Sequence, residues 1–414
     1  MRIPRIINSL LETDMYKFSM GQVIYNRFPM YTTRWNFKCR NTDVVFTTDM
    51  IDEIRSQIKE YCRLRFSEDE LDYLGRIRWI KQPYINFLRL WHPRYEDFTI
   101  VETDEGCHLS IQTDGTWLNT SMYEIAILAI VNEVYFKMRY DYKQLLAEFK
   151  DRADFKVSSI ECGDVFLGAF SEFGERRRLS ADAQEYIVGR LARMHDVQGD
   201  SRFVGTSNVY LARKYGITPV GTMAHEFIQC VGQGNHSLNP AYSNKFMLKE
   251  WVNQYGIDNG IALTDCIGTD VFLLDFNRTY ATLFNGVRHD SGDPVAWGKK
   301  ILAHWDKLGI DPKTKTLLFS DSLNFERANM LYDVFHNKAK VAFGIGTFLS
   351  NDTSVNPLNI VCKVIECNGS PVAKLSDCDG KGMCLDEEYV KYLRRTIEWR
   401  MTHRDKEYDY EASF

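Results

Sequence analysis

From about residue 155 onward the chain repeats one rhythm: a short β-rich run, a loop bearing glycine or aspartate, then a helical pattern. The runs predicted as strands are 219–222, 261–264, 286–288, 316–320 and 340–343, and the predicted helices include 244–255, 295–308 and 324–335. Strands alternating with helices argue for parallel β/α units. The pitch, roughly 25 to 40 residues, matches one unit of a β/α barrel, whose ~250 residues also suit the length that remains. The polar residues sharpen the case. Just past successive strands stand His225, Asp265, Arg288 with Asp290, Asp321, and then Gly344, Gly346 and Thr347. In a β/α barrel such positions line the C-terminal face, where active sites are built. An open doubly wound sheet also binds ligands at strand C-termini. Five chemistry-bearing loops in succession fit a closed ring better than one switch point.

At 414 residues the chain exceeds the size at which one core stops growing, so two domains are the default. Residues 1–150 mix predicted strands at 34–38 and 98–102 with predicted helices at 50–64, 68–74 and 121–140, which reads as an α+β domain. The charged run 148–154 is the expected boundary. The barrel is expected over 151–370, with 371–414 packing back on the N-terminal domain. The apolar stretch 122–136 is too short to span a bilayer and carries Glu124, Asn132 and Glu133, so it reads as a buried helix. A net charge of −5 gives no global pull toward nucleic acid or anionic membrane, so any anion site must be local. Ten cysteines without CxxC spacing fit a reduced cytoplasmic protein. Cys362, Cys367, Cys378 and Cys384 cluster too loosely for a zinc knuckle, and scattered thiols are the better reading. The opening MRIPRIINSLLETDMYKF has no apolar core followed by small residues, so no secretory leader is expected.

Five segments carry the chemistry. GVRHDSGDP (286–294) reads as a strand end opening into a loop with a guanidinium, Arg288, and two carboxylates, Asp290 and Asp293. Arginine presents a rigid donor fork to phosphate or carboxylate, and aspartate accepts hydrogen bonds from paired sugar hydroxyls; the bland alternative is a surface loop with an internal ion pair. GTMAHEF (221–227) sets His225 past a strand, where it can be a base, a metal ligand or a phosphoryl acceptor. No second histidine sits at metal-ligand spacing, and no acidic partner for His225 is expected. In FGIGTFLSND (343–352), Gly344 and Gly346 free the backbone N–H groups to cradle an anion, and Thr347 adds a hydroxyl. FGERRR (173–178) puts Phe173 beside Arg176, Arg177 and Arg178, charge enough for a diphosphate, or simply a solvated helix face. Asp321 in FSDSLNFE (319–326) can hold a sugar hydroxyl or Mg²⁺, or cap the next helix with Ser322.

Together with TDMYKFSM (13–20), LTDCIGTDVFLLDF (263–276) and NIVCKVIECNGSPVAKLSD (359–377), these blocks resemble the nicotinate phosphoribosyltransferase family along nearly the whole chain. The resemblance implies an α/β fold: an irregular β/α barrel with an N-terminal α+β domain, and homodimers with shared active sites. It implies conversion of nicotinate, phosphoribosyl diphosphate and ATP to nicotinate mononucleotide, diphosphate, ADP and phosphate in NAD salvage, a C–N bond-forming ligase reaction. ATP is a co-substrate, Mg²⁺ an expected cofactor with no protein metal ligands assigned, and neither nucleic acid nor membrane is a partner. Carried over motif by motif, His225 matches the family's phosphohistidine and Thr222 a residue near the nicotinate. Arg288 is expected at the nicotinate carboxylate or a phosphate, Asp290 at the ribose hydroxyls, and Gly344, Gly346 and Thr347 at the 5′-phosphate. Phe173 is expected to stack on the pyridine, with Tyr16 reaching its other face across the dimer, and Arg176 to contact phosphate or diphosphate. Where nicotinamide-using relatives carry an aspartate, this chain has Ser207, which can donate to a carboxylate and so favours the acid over the amide. Glu226 has no role in this scheme.

Three other readings compete: a transferase for nicotinamide or quinolinate, a glycoside hydrolase using Asp290 and Asp293 as its carboxylate pair, and a non-catalytic nucleotide sensor on the same barrel.

Overall fold

The computed structural model describes residues 3–165, 168–198, 202–377 and 384–403. Three strands form early: β1 (Thr32–Cys39), β2 (Phe98–Glu102) and β3 (Leu109–Thr116). Seven more follow: β4 (Ala169–Glu172), β5 (Phe203–Thr206), β6 (Thr218–Pro219), β7 (Ile261–Leu263), β8 (Gly286–His289), β9 (Thr316–Phe319) and β10 (Lys340–Ile345). The last two are β11 (Ile360–Cys367) and β12 (Ser370–Pro371). Strands β4 to β10 make one parallel sheet in the order β6-β5-β4-β10-β9-β8-β7, and the others make an antiparallel sheet, β12-β11-β1-β3-β2.

The parallel sheet curls as the β/α rhythm requires, but among the described residues no ladder joins β6 to β7. The strand predicted at 219–222 stops at Pro219, and the Thr222 hydroxyl instead donates to the Ile261 carbonyl at 2.9 Å. One side-chain bond stands where the ring would need a ladder, so the barrel is irregular. Its core is aromatic: Phe319 packs on Trp297, Phe335 and Phe343.

Helices start where the sequence offers caps. Asp293 accepts from the Ala296 N–H at 2.7 Å and Pro294 takes the first position of helix Pro294–Lys307. Ser67 and Glu70 close a capping box on helix Glu68–Gly75. Helix Tyr123–Arg139 is buried from Tyr123 to Phe136, and no described helix is long and apolar enough to cross a membrane. Its three polar residues are partnered, as burial demands: Glu124 with Lys17 at 2.7 Å, Asn132 with the Arg178 carbonyl at 2.7 Å, and Glu133 with Lys137 at 2.6 Å.

Two expectations need correction. The charged run 148–154 is no boundary but lies inside the continuous helix Tyr142–Glu161, where Leu145, Phe149, Ala153 and Val157 face inward and the charges form the wet side. Strand β11 pairs antiparallel with β1 over seven residue pairs from Thr33↔Cys367 to Cys39↔Ile360, so it is β11 and β12 that return to the N-terminal sheet. The final helix, Glu387–Thr402, packs on the barrel side instead. Arg400 pairs with Asp275 at 2.6 Å and donates to the Ala241 carbonyl at 2.7 Å. Cys362 and Cys367 are buried thiols and Cys384 is half-buried; Cys378 lies outside the described residues.

Candidate active site

The C-terminal ends of the parallel strands bring His225, Asp265, Arg288 and Asp290 into one cluster. His225 opens the short helix His225–Ile228, and its Nε2 lies 2.8 Å from Asp265 Oδ1 and 3.8 Å from Asp290 Oδ2. The histidine therefore has the acidic partner that sequence reading did not anticipate. The pair is forty positions apart, and only the adjacency of β7 to the 220–225 segment makes it. Burial, reinforced by the nearby Lys374, pushes the His225 pKa down to about 4 although Asp265 pulls the other way. The imidazole is neutral at pH 7, and with Nε2–H donating to Asp265 its Nδ1 carries the free lone pair.

Lys374 was also missed. It arrives on the segment that follows β12, held by the Leu375 N–H to the Cys266 carbonyl at 2.8 Å. Its Nζ lies 3.0 Å from Asp265 Oδ2 and 3.5 Å from Asp290 Oδ2. Burial favours neutral carboxyls here, but Lys374, Arg288 and His225 together hold Asp290 below the usual carboxylate range. Arg288 donates to the Met223 carbonyl at 3.2 Å, lies 3.9 Å from Asp290, and keeps a buried Nε without a hydrogen-bond partner.

Among the described residues, His225, Asp265 and Asp290 offer ligand atoms within 4.8 Å of one another. They do not fit a resident Mg²⁺, which demands oxygen ligands. One donor is an imidazole, and the ammonium of Lys374 already sits against both carboxylates.

The arginine loop lies on the same rim, tied down at both ends. The Phe173 N–H donates to the Ile345 carbonyl at 2.8 Å, Ser350 Oγ to the Gly174 carbonyl at 3.1 Å, and Asn351 Nδ2 to the Arg177 carbonyl at 2.9 Å. Phe173, Arg176 and Arg177 are thereby fixed beside Gly346 and Thr347. The absence of a Cβ at Gly344 has a packing cause, because the ring of Phe173 occupies that space. Arg177 is pushed down to about 10 by burial and by its neighbours Arg176 and Arg40, while Asp290 and Asp321 oppose the shift. A cationic cluster faces two carboxylates. Arg178 turns away into the core, where it pairs with Glu12 at 3.0 Å and Glu175 at 2.9 Å.

Tyr16, expected to reach a site across a dimer, is buried within this chain. The Met15 N–H donates to the Ser207 carbonyl at 2.8 Å, and the Arg176 guanidinium is 6.0 Å from the Tyr16 ring. The Tyr16 hydroxyl and Ser207 Oγ are buried without hydrogen-bond partners. Ser207 faces the Asp14 carboxylate, and Asp14 faces Arg176 at 3.7 Å.

Two expected roles change, and the Thr222 hydroxyl bonds the Ile261 carbonyl. Asp321 caps nothing: Asn324 caps helix Phe325–Phe335, while Asp321 accepts from Ser322 at 3.0 Å and lies near Arg177. Asp293 is a helix cap, which removes it from a carboxylate pair with Asp290.

Residues 169–400 match the nicotinate phosphoribosyltransferase (NAPRTase) family and residues 11–132 match that family's N-terminal domain. The chain is 45% identical over 400 residues to a nicotinate phosphoribosyltransferase of Chromobacterium violaceum, covering 95% of this chain and 97% of that protein. It is 43% identical over 393 residues to one of Cupriavidus necator, covering 94% and 98%. The crystal structure of nicotinate phosphoribosyltransferase from Vibrio cholerae superposes with a TM-score of 0.87 at 35% identity, covering 95% of each chain.

Proposed function

The chain belongs to the nicotinate phosphoribosyltransferase family, and on that premise we propose the full reaction: nicotinate and phosphoribosyl diphosphate give nicotinate mononucleotide and diphosphate, driven by ATP through a phosphohistidine at position 225. One observation carries the ATP step. A neutral imidazole is oriented by Asp265 at 2.8 Å, next to the ammonium of Lys374, on the rim that holds Arg288 and Asp290.

In the first step Nδ1 of His225 attacks the γ-phosphorus of ATP and ADP leaves. Asp265 keeps the proton on Nε2, so that the attacking lone pair points the other way. Lys374 is the nearest cation to offset the incoming phosphoryl charge. In the transfer step the pyridine nitrogen displaces diphosphate from C1′, with oxocarbenium character at that carbon. Asp290 accepts hydrogen bonds from the ribose hydroxyls, and Arg176 and Arg177 hold the departing diphosphate. Phe173 and Tyr16 bracket the pyridine, while Ser207 and Arg288 receive its carboxylate. Gly346 and Thr347 cradle the 5′-phosphate, with Gly344 seating the Phe173 ring. Water then cleaves the N–P bond of His225 to release phosphate. Magnesium is proposed to enter complexed to the polyphosphate oxygens and not as a resident ion.

The buried polar atoms without partners favour this reading over a hydrolase or a sensor: Tyr16 Oη, Ser207 Oγ and Arg288 Nε lack bonds that a polar, carboxylate-bearing substrate supplies. The test is diphosphate release from phosphoribosyl diphosphate with nicotinate, nicotinamide or quinolinate, each with and without ATP. The expected result is turnover with nicotinate, stimulated by ATP. Equal rates with nicotinamide, or release indifferent to ATP, would sink the proposal.

A further inference from the structure

Two ionisable side chains in the signature blocks take no part in that reaction. Glu226 directly follows His225, and Lys17 directly follows Tyr16. Both are enclosed by protein. Lys17 Nζ lies 2.6 Å from Glu226 Oε2 and 2.7 Å from Glu124 Oε2, above the rings of Trp35 at 4.9 Å and Tyr16 at 5.3 Å. The Ser121 hydroxyl donates to the second oxygen of Glu226. Glu124 in turn faces Lys363 at 3.6 Å and Arg176 at 3.8 Å. With Asp14 against Arg176, three cations meet three carboxylates in one network, enclosed at Lys17, Glu124, Glu226 and Asp14 and partly exposed at Arg176 and Lys363. A buried charge that loses its partner is strongly destabilising, so each member fixes where the next can sit.

Topology gives this network a function. His225 and Glu226 open one helical turn, His225–Ile228, and Tyr16 and Lys17 lie in the first turn of helix Met15–Arg27. A displacement of the His225 turn therefore pulls on Lys17, and through Lys17 on Tyr16 and on Glu124 with its partner Arg176. A phosphoryl group adds roughly −1.5 to −2 charge beside Asp265 and Asp290, which is reason enough for that turn to shift. We propose that Lys17 is a positioning residue that couples the phosphorylation state of His225 to binding of the pyridine substrate at Tyr16 and Arg176. The inference rests on the phosphohistidine reading and adds the route by which it acts.

Lys17→Met alone leaves two buried carboxylates against an apolar side chain and is expected to fold poorly. The test therefore uses Glu226→Gln and the charge-matched pair Lys17→Met/Glu226→Gln, as full-length proteins. Phosphohistidine formed from ATP is measured, together with the KM for nicotinate and kcat, with and without ATP. Wild type that forms no phosphohistidine and feels no ATP overturns the underlying reading, and the tie falls with it. Where wild type responds, the variants are expected to form phosphohistidine and to keep their ATP-free kcat. Their ATP-dependent drop in KM should shrink by at least about fivefold, the low end of ordinary coupling between sites. A full-size ATP effect in the double variant refutes the proposal. So does a matching loss of ATP-free turnover, the mark of a merely structural role.

Discussion

Replacing Asp265 by asparagine isolates what orients His225. The carboxylate holds Nε2 at 2.8 Å, accepts from the Ser291 hydroxyl at 2.5 Å and pairs with Lys374 at 3.0 Å. Asparagine keeps the shape and removes the charge. Hydrogen bonds to a charged group contribute about 1.5–3 kcal/mol, against about 1 kcal/mol for neutral pairs. The loss is therefore about 0.5–2 kcal/mol in orientation alone. The amide can also turn its NH₂ toward Nε2, which moves the imidazole proton to Nδ1 and removes the attacking lone pair. At 1.36 kcal/mol per factor of ten, the orientation loss alone should slow phosphorylation of His225 about 2- to 30-fold. Rapid-quench measurement of acid-labile phosphate on the protein, with ATP and no other substrate, reads this step directly. A rate unchanged in Asp265→Asn would refute the assignment of Asp265, and with it the choice of Nδ1 as nucleophile.

Other outcomes follow from the same geometry. Because burial holds His225 down to about 4, phosphohistidine formation should stay level from pH 8 to pH 5; an inflection near 6.5 would mean an exposed imidazole. Burial also raises Glu172 to about 7 and Glu175 to about 8. Groups whose folded pKa lies above the unfolded one stabilise at low pH and lose that contribution as pH climbs through the folded value. Between about pH 7.5 and 8.5, above the range in which an unfolded histidine loses its proton (~6.5), the thermal midpoint should fall; a midpoint that rises across that window contradicts the burial of these two acids. Gly344→Ala drives a methyl into the Phe173 ring, so the KM for nicotinate should rise while phosphohistidine formation persists, as kinetics with and without ATP would reveal. Asp293→Ala removes a helix cap at a cost of about 1 kcal/mol and should lower the melting temperature without touching kcat. A collapse of activity there would revive a two-carboxylate mechanism.

The barrel was readable because its strands end in residues that no core would tolerate. Predicted strands 261–264, 286–288 and 316–320 and their helices agree with the structure to within a residue or two. Strands β4 and β5 were not among the predicted strands. The site divided along the same line. Local blocks such as GVRHDSGDP and FGERRR announce themselves, whereas Asp265 and Lys374 matter only through what lies beside them in space. A histidine's partner forty residues away leaves no periodic trace. The charged run 148–154 misled for a related reason: the wet face of an amphipathic helix and a linker have similar composition, and only the inward Phe149 and Ala153 tell them apart.

The most direct measurement is the location of the transferred phosphoryl group. The protein is incubated with γ-labelled ATP, digested at alkaline pH and mapped by mass spectrometry. Acid-labile label is expected on His225 at Nδ1, discharged when nicotinate and phosphoribosyl diphosphate are added. Label on another residue, or ATP-stimulated transfer by a His225→Asn variant that carries no label, would contradict it.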